Sequence, residues 1–228
     1  MKNTKTLAIL MALVISVIFI SCENESEISP QQTINNTIND TTEFNALIDE
    51  ALAEQPREAR KAYDSVRTVK YVDLDRYDGR WYEIAKFENP FEADCTCTTA
   101  DYELIDGQVN VLNSCILSTT GAVNSITGKA IVADPQTNAK LILTLDGIPF
   151  PADYWILDLI TDDVNEEYQF AVVGGPSREN LFILSRTPKI TTFSHKVSVL
   201  KLLIRLTLQG YDIRNLKISP QSLDCIYP

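Results

Sequence analysis

From residue 80 onward, hydrophobic and polar residues alternate along short segments that are separated by turn residues. A period of two is typical of β-strands with one buried face. The turn signals are Asp106-Gly107, Asp134-Pro135, Asp146-Gly147 and Gly174-Gly175-Pro176, of which the first is a strong signal for a two-residue hairpin. The pattern predicts eight strands, over residues 80–88, 94–105, 108–118, 122–133, 139–146, 153–161, 167–174 and 180–186.

Strands that follow one another through short turns favour an all-β fold, an eight-stranded antiparallel up-and-down barrel. Closing the sheet removes the two edges that an open meander would expose. A barrel of eight strands is about wide enough to hold one small ligand. A β-sandwich is the alternative fold, although its Greek-key crossings would not require so regular a run of strands.

The pattern changes to a helical period after the last barrel strand. Residues 191–209 carry apolar side chains at spacings of three and four, and Gly210 follows, a residue type that commonly ends helices. Leu216 and Ile218 then indicate a short trailing strand. The residues predicted to share the apolar face of this C-terminal helix are Phe193, Val197, Leu200, Leu203 and Ile204.

The first 21 residues have the features of an export signal. Lys2 and Lys5 supply positive charge, and residues 7–20 form an apolar run without a charged residue. That run is shorter than the roughly 20 residues that span a bilayer, so we predict a signal peptide that is removed rather than a membrane-spanning helix. Ordinary cleavage near Ser21 would leave Cys22 as an unpaired thiol.

Between the signal and the strands, the composition changes once. Residues 23–40 are mostly polar and predict a flexible tether, whereas residues 42–63 are richer in helix formers and carry one amphipathic face. The predicted organisation is a signal peptide over 1–21, a tether with a short helix over 22–66, and a barrel domain over 67–228. The residues on the face of the short helix are Phe44, Leu47, Ile48, Ala51 and Leu52.

The whole chain carries a formal net charge of −11. This charge disfavours nucleic-acid binding, because contacts with phosphates need a basic face. It also disfavours purely electrostatic attachment to an anionic membrane. The charge therefore argues against two classes of partner without naming one.

Five cysteines are present. If Cys22 is set apart, the remaining four form an even set in an exported chain, for which two disulfides are the usual outcome. The Cys-x-Cys spacing and the single histidine, His195, do not suit a zinc site, so neither a metal nor another cofactor is predicted. Four cysteines allow three pairings, and a simple hairpin about Asp106-Gly107 would place Cys97 nearly opposite Cys115.

Three segments resemble the three signatures of the lipocalins, eight-stranded barrels that carry small apolar ligands. The first contains Gly79 and Trp81, and the third contains Arg186. The second departs from the family pattern because residues 163–167 lengthen its closing turn. The resemblance extends over about residues 72–227 and is strongest to the bacterial outer-membrane and apolipoprotein D-like lipocalins. The segments that match the signatures are residues 72–84, 154–162 and 184–188.

The resemblance implies roles for several residues. In lipocalins an arginine at the end of the last barrel strand covers the tryptophan ring and donates to nearby carbonyls, so Gly79, Trp81 and Arg186 are expected to close one end of the barrel. Ser21-Cys22 resembles a bacterial lipoprotein processing site, which would make Cys22 a lipidated N-terminus. The cysteine pattern resembles that of plastid lipocalins, and the family implies the disulfides Cys97–Cys225 and Cys95–Cys115.

The resemblance further implies a small hydrophobic ligand of the fatty-acid or lysophospholipid class. Alternation places candidate ligand-binding side chains on the inner face of three strands, although a filled core would need the same residues. The expected location is a membrane, to which a lipid anchor tethers the protein, in particular a bacterial outer membrane; otherwise the protein is secreted or periplasmic. The candidate ligand-binding residues are Ala100, Tyr102, Leu104, Val109, Val111, Tyr154 and Ile156.

An enzyme that acts on an apolar small molecule inside such a barrel is the alternative function. It would need a nucleophile or an acid–base pair that faces the cavity. Asp101, Glu103 and Asp158 fall on outward positions of strands, and no arrangement of Ser, His and Asp suggests a triad, so no catalytic residue is predicted. A third alternative is an interaction surface at Pro149-Phe150-Pro151, an apolar loop between the fifth and sixth strands.

Overall fold

The computed structural model describes residues 41–53, 65–162, 166–222 and 224–227. The predicted signal peptide, Cys22 and the polar tether lie outside these residues, as do parts of the predicted short helix and of the lengthened turn. The helices are α1 (Thr41–Ala53), α2 (Leu74–Tyr77) and α3 (Phe193–Leu208). The strands are β1 (Gly79–Phe87), β2 (Cys95–Ile105), β3 (Gln108–Leu117), β4 (Val123–Val132), β5 (Lys140–Leu145), β6 (Ala152–Thr161), β7 (Tyr168–Gly174), β8 (Leu181–Ser185) and β9 (Leu216–Ile218). Single 3-10 turns cover Pro90–Glu92 and Ile213–Asn215.

The strands form a closed antiparallel barrel, as predicted. Each strand from β1 to β7 pairs with the next strand along the chain, and β8 pairs back with β1. The closure between β1 and β2 is short, because only residues 79–82 pair with residues 99–102. Farther along β1, residues 85–87 pair with β9 instead. This neighbour-to-neighbour pairing rules out the β-sandwich alternative.

The strand bounds agree with the predicted ones. Each barrel strand begins and ends within one residue of its prediction. Both central residues of the β2–β3 turn have positive φ, 50° at Asp106 and 78° at Gly107. Positive φ at both positions is what the type I′ hairpin requires, and Asp-Gly is one of the pairs that adopt it readily.

Alternation along the strands divides the apolar residues between two cores. The inner core lies inside the barrel and contains Trp81, Ile156 and Leu184. The outer core lies between the barrel and α3 and contains residues such as Phe170 and Ile183. The adjacent residues Ile183 and Leu184 belong to different cores because successive side chains of a strand point to opposite faces.

Helix α3 forms where it was predicted, but the predicted face is only partly right: Leu203 is buried, and Leu200 and Ile204 pack against the outer core. Thr192 caps the helix by accepting a hydrogen bond of 3.2 Å from the backbone N–H of His195. Phe193, which was expected to be buried, is 83% exposed. The apolar residues of this helix cover more than one face, so the period alone does not select the face that packs on the sheet. The buried residues are Val199, Leu202, Leu203 and Leu206.

Helix α1 packs on α3 rather than standing apart from the barrel. Phe44, Ile48 and Ala51 are buried in the outer core, which confirms the predicted amphipathic face. Glu43 and Lys196 form an ion pair between the two helices. The helix that the prediction assigned to the tether therefore belongs to the same compact unit as the barrel. None of the helices in the described part of the chain is long and apolar enough to cross a membrane.

Candidate functional site

One end of the barrel is closed by Trp81 and Arg186. Trp81 is fully buried, and its indole N–H donates a hydrogen bond of 2.9 Å to the carbonyl oxygen of Tyr77. The guanidinium carbon of Arg186 lies 3.9 Å from the centre of the Trp81 ring, a cation–π geometry. The guanidinium also donates hydrogen bonds of 2.7–2.9 Å to three backbone carbonyl oxygens, those of Arg76, Asp78 and Arg80.

Gly79 makes this closure possible at the start of β1. Its φ of +90° is unfavourable for any residue with a side chain. A Cβ atom at this position would lie in ordinary contact, 3.6 Å from Nη1 of Arg186, so it is the backbone conformation rather than space that requires glycine. Gly79, Trp81 and Arg186 therefore meet at the closed end, the arrangement that the lipocalin resemblance implies.

Above the closed end, three tyrosines form a hydrogen-bonded layer, which we call the tyrosine floor (Tyr77, Tyr102 and Tyr154). The hydroxyl of Tyr154 donates to that of Tyr102 at 2.9 Å, and the hydroxyls of Tyr77 and Tyr154 lie 2.9 Å apart. The rings of Tyr77 and Tyr102 stack with their centres 5.6 Å apart. Burial raises the pKa of each of the three phenols, so they stay neutral and act only as hydrogen-bonding groups.

The candidate ligand-binding residues surround this floor. A cavity of about 10 Å³ lies among them, which is room for roughly one water molecule. Ala100 and Leu104 pack against the same inner core. The closed half of the barrel is thus a filled core, and an acyl chain would not fit there without rearrangement. The cavity is lined by five of the predicted residues, Tyr102, Val109, Val111, Tyr154 and Ile156, and by Leu74, Tyr77, Ala130 and Leu141.

The open half of the barrel is less completely filled. On β5, Leu141 and Leu143 both face inward, because they pair with inward residues on β4. Leu141, near the closed end, is buried, whereas Leu143 is only partly buried. Solvent therefore reaches the inner apolar surface at this end. The inward residues of the open half that are only partly buried are Ile126, Leu143, Leu145 and Phe182.

These open-half residues were not among the predicted site residues. The sequence does carry a signal for them, since hydrophobic and polar residues alternate along β4 and β5 as clearly as along β2 and β3. Alternation shows which side chains of a strand point into the barrel, but not how far along the barrel axis the interior is filled by side chains. That depth depends on the large tyrosines of the floor, which come from α2, β2 and β6.

Opposite the partly buried apolar side chains of β4 and β5 lies a charged cluster, which we call the polar corner (Glu83, Lys86, Glu92 and Ser219). Glu83 is on the inner face of β1, two residues after Trp81, and is 3% exposed; Lys86 is 8% exposed. The ammonium of Lys86 lies 3.1 Å from Oε1 of Glu83 and 2.9 Å from Oε2 of Glu92, which the β1–β2 loop carries. The hydroxyl of Ser219 donates a further hydrogen bond to Oε1 of Glu83.

The polar corner changes the ionisation of Glu83. Burial, and then the negative charge of Glu92, raise the pKa of Glu83 to about 7, while Lys86 and Ser219 act in the opposite direction. Burial acts to lower the pKa of Lys86, but the two carboxylates outweigh it and the pKa is raised. At neutral pH, Lys86 is therefore charged, and Glu83 is divided between its two protonation states.

The C-terminal tail completes the barrel wall beside the polar corner. Beyond the short β1–β2 closure, the side-chain amide of Gln221 donates to the carbonyl oxygens of Glu83 at 2.8 Å and Thr98 at 2.9 Å. The backbone N–H of Cys97 donates to the carbonyl oxygen of Pro220 at 2.8 Å. The tail thus bridges two strands that no longer pair directly with each other.

Two disulfides lie at the open half. Cys95 is bonded to Cys115 across β2 and β3, and Cys97 is bonded to Cys225 in the tail. This is the pairing that the lipocalin resemblance implies, and the hairpin alternative is not adopted. The β2–β3 register shifts between Thr96 and Thr99, and Cys97 has a left-handed backbone with φ of 55°, so the strand bulges at this cysteine.

Two aromatic side chains project from the loops at the open end. Phe91, in the β1–β2 loop, is 71% exposed, and Phe150, in the β5–β6 loop, is 77% exposed. Phe150 belongs to the Pro149-Phe150-Pro151 segment that the sequence marks as a candidate interaction surface.

The acidic residues considered for catalysis lie on the outer face of the barrel. Asp101 is paired with Arg80 at 2.7 Å, and Asp158 with Arg205 at 2.8 Å, while Glu103 is exposed. His195 packs outside the barrel, against the ring of Phe170. Among the residues that the structure describes, no group of three or more His, Cys, Asp and Glu side chains is placed to hold a metal ion.

Comparison with known proteins agrees with this geometry. The family model described as a lipocalin-like domain matches residues 72–221. Temperature-induced lipocalin-1 of Arabidopsis thaliana is 37% identical over 166 residues, which cover 69% of this chain and 83% of the relative. Outer membrane lipoprotein Blc of Escherichia coli K12 is 38% identical over 149 residues, which cover 65% of this chain and 78% of the relative.

Solved structures support the fold. Insecticyanin from the tobacco hornworm Manduca sexta superposes with a TM-score of 0.54 at 20% identity, over 71% of this chain and 87% of that one. The amine-binding protein of Rhodnius prolixus, solved with tryptamine, superposes with a TM-score of 0.51 at 20% identity, over 74% of this chain and 91% of that one. Taken with the closed barrel, the match over residues 72–221 shows that this chain belongs to the lipocalin family.

Proposed function

We propose that this protein binds an acyl-chain lipid, of the fatty-acid or lysophospholipid class, in the open half of its barrel and carries or stores it. Lipocalins bind small hydrophobic ligands. The observation that carries the proposal here is the incompletely buried apolar wall of the open half, which includes Ile126, Leu143 and Phe182. Each methylene group removed from water contributes about 0.8 kcal/mol, so a chain of about twelve carbons gains on the order of 10 kcal/mol before ordering costs.

The filled closed half limits where such a ligand can lie. The cavity of about 10 Å³ around the tyrosine floor accepts roughly one water molecule. The acyl chain is therefore expected to end above Tyr154 and to contact the partly buried residues of β4, β5 and β8. The predicted ligand-binding residues of β2, β3 and β6 then act mainly as the packed base of the site.

Uptake of a fluorescent acyl-chain probe by the delipidated protein tests this proposal. We expect binding close to one probe per protein, with a rise in emission as the chain leaves water. Leu143→Gln should weaken uptake at least about tenfold, because it places an amide in the apolar wall. Ile142→Gln is the matched control, since Ile142 is the adjacent residue on β5 and faces outward. Absence of uptake by the native protein would overturn the proposed function.

We further propose that a lipid anchor on Cys22 tethers the barrel to a membrane. The support is the apolar run that ends at Ser21-Cys22, together with the relative from Escherichia coli, which is called an outer membrane lipoprotein. Cys22→Ser should move the protein from the membrane fraction to the soluble fraction. Membrane attachment that persists in this variant would contradict a lipid anchor at this position.

A further inference from the structure

The open half of the barrel has two unlike walls. One wall is the apolar surface of β4 and β5, and the other is the polar corner on β1, the β1–β2 loop and the tail. Thr98 lies beside this corner, because Gln221 bridges its carbonyl oxygen to that of Glu83. A ligand that fits both walls must be amphipathic, so the polar corner bears on the chemistry of the polar end of the ligand.

A buried polar side chain beside this wall lacks a hydrogen-bond partner among the described residues, whereas the carboxylate of Glu83 is contacted at Oε1 by both Lys86 and Ser219. The hydroxyl of Thr98, whose side chain is 5% exposed, has no hydrogen-bond partner within the same part of the chain. Thr98 lies two residues before Ala100 on the inner face of β2. A buried polar group without a partner is costly, which suggests that a ligand supplies one.

The charges at the polar corner favour a cation over an anion. Glu83 and Glu92 face one ammonium, that of Lys86, so an incoming anion would meet an excess of negative charge. Lys217 pairs with Lys86 across β1 and β9 and lies on the same face, but its side chain is exposed and its charge is screened by water. An incoming ammonium would offer several N–H donors, which can satisfy the hydroxyl oxygen of Thr98 and also bond the carboxylate of Glu83.

We propose that the polar corner binds the protonated amine of a long-chain ligand, with the carboxylate of Glu83 and the hydroxyl of Thr98 as its acceptors. This inference rests on the proposed function, since the chain of the ligand must occupy the apolar wall. The ligand class is then a lipid whose polar end carries a primary ammonium group. A fatty acid would place its carboxylate against Glu83 and Glu92 and would bind less tightly.

The proposal requires that the affinity for the ligand depend on pH in a characteristic way. The groups that face Glu83 are Lys86 on β1, Glu92 on the loop, Tyr102 on β2, and Ser219 and Lys217 near the tail. The pKa of Glu83, about 7, lies in the neutral range. A cation binds best when Glu83 is ionised, so affinity for an amine should rise from pH 6 to pH 8. Affinity for a carboxylate should fall over the same interval.

Three ligands with the same twelve-carbon chain test the proposal: dodecylamine, dodecanol and dodecanoate. Each is titrated against the fluorescent acyl probe on delipidated protein at pH 6 and pH 8, below its aggregation concentration. At pH 8 we expect the amine to bind at least about tenfold more tightly than the alcohol, because hydrogen bonds to a charged group are the stronger ones. At pH 6 the preference should shrink. An amine that binds no more tightly than the alcohol would refute the proposal.

Variants distinguish a role of the polar corner in recognising the amine from a role in folding alone. Glu83→Gln should abolish the preference for the amine over dodecanol and the dependence of that preference on pH. Thr98→Val should weaken amine binding several-fold and keep the pH dependence, which makes the test independent of how well Glu83→Gln folds. Glu103→Gln is the matched control, because it removes the same charge from the outer face of β2. Failure of all three ligands to displace the probe, or of the probe to bind, would refute the proposed function instead.

Discussion

Replacement of Arg186 with methionine should show how much the closed end contributes to stability. Methionine keeps an unbranched apolar chain over Trp81 but donates no hydrogen bond. The variant loses three hydrogen bonds of 2.7–2.9 Å to backbone carbonyls and the cation–π contact at 3.9 Å. Hydrogen bonds from a charged donor contribute about 1.5–3 kcal/mol each, and water can reach some of the freed carbonyls, so we expect a loss of about 3–5 kcal/mol.

Urea unfolding, followed by the fluorescence of the two tryptophans, measures this loss. With a slope of about 2 kcal/mol per molar urea, the unfolding midpoint should fall by roughly 2 M. Arg205→Met is the matched control, because Arg205 pairs with Asp158 on the outer face of the barrel and its own side chain is about half exposed, although that of Asp158 is mostly buried. The loss of that single pair should cost about 1–2 kcal/mol, less than the loss expected at Arg186. Equal midpoints for the two variants would refute the structural role assigned to Arg186.

Three further predictions concern the closure, the tail and the polar corner. Gly79→Ala should destabilise the protein by about 1–2 kcal/mol, measured by the same unfolding assay, because alanine disfavours a φ of +90°. Cys97→Ser with Cys225→Ser should cost about 4–5 kcal/mol, compared under non-reducing conditions, because the lost disulfide spans 128 residues. The pKa of Glu83 is raised to about 7 in the folded protein, so its contribution to stability is full below its unfolded pKa and is lost as the pH rises through 7. The unfolding midpoint of the native protein relative to Glu83→Gln should therefore fall between pH 5 and pH 8, and a constant difference would contradict the raised pKa.

The barrel could be predicted because its strands follow one another and carry a clear period of two. Each hairpin joins strands that are adjacent in the sequence, and Asp106-Gly107 has the backbone preferences that its turn needs. The face of α3 was predicted only in part, since the apolar residues of that helix fit more than one face. Which face is buried depends on the outer core, to which residues as distant as Phe44 and Leu181 contribute.

The polar corner could not be predicted for a different reason. Alternation from Trp81 places Glu83 inside the barrel, and Lys86, three residues later, supplies one partner, but the other groups that satisfy this buried carboxylate are distant in the sequence. Its partner Ser219 lies 136 residues away, and Gln221, which bonds its carbonyl oxygen, lies 138 residues away. A register shift between Glu83 and Ala85 also ends the simple period of β1. The sequence therefore indicates the inner face but not the groups that assemble on it.

The polar corner links ligand binding to the tail as well as to pH. A cation at the carboxylate of Glu83 would favour the ionised form and so lower the pKa of Glu83, and by the reciprocity of linked equilibria protonation of Glu83 would weaken binding of the cation to the same extent. Oε1 of the same carboxylate accepts a hydrogen bond from Ser219, and a charged acceptor makes that bond stronger. Binding of an amine should therefore hold the tail more firmly against the barrel wall. Slower hydrogen exchange at the backbone N–H of Ser219 and Cys97, with dodecylamine but not with dodecanol, is the result that this coupling requires.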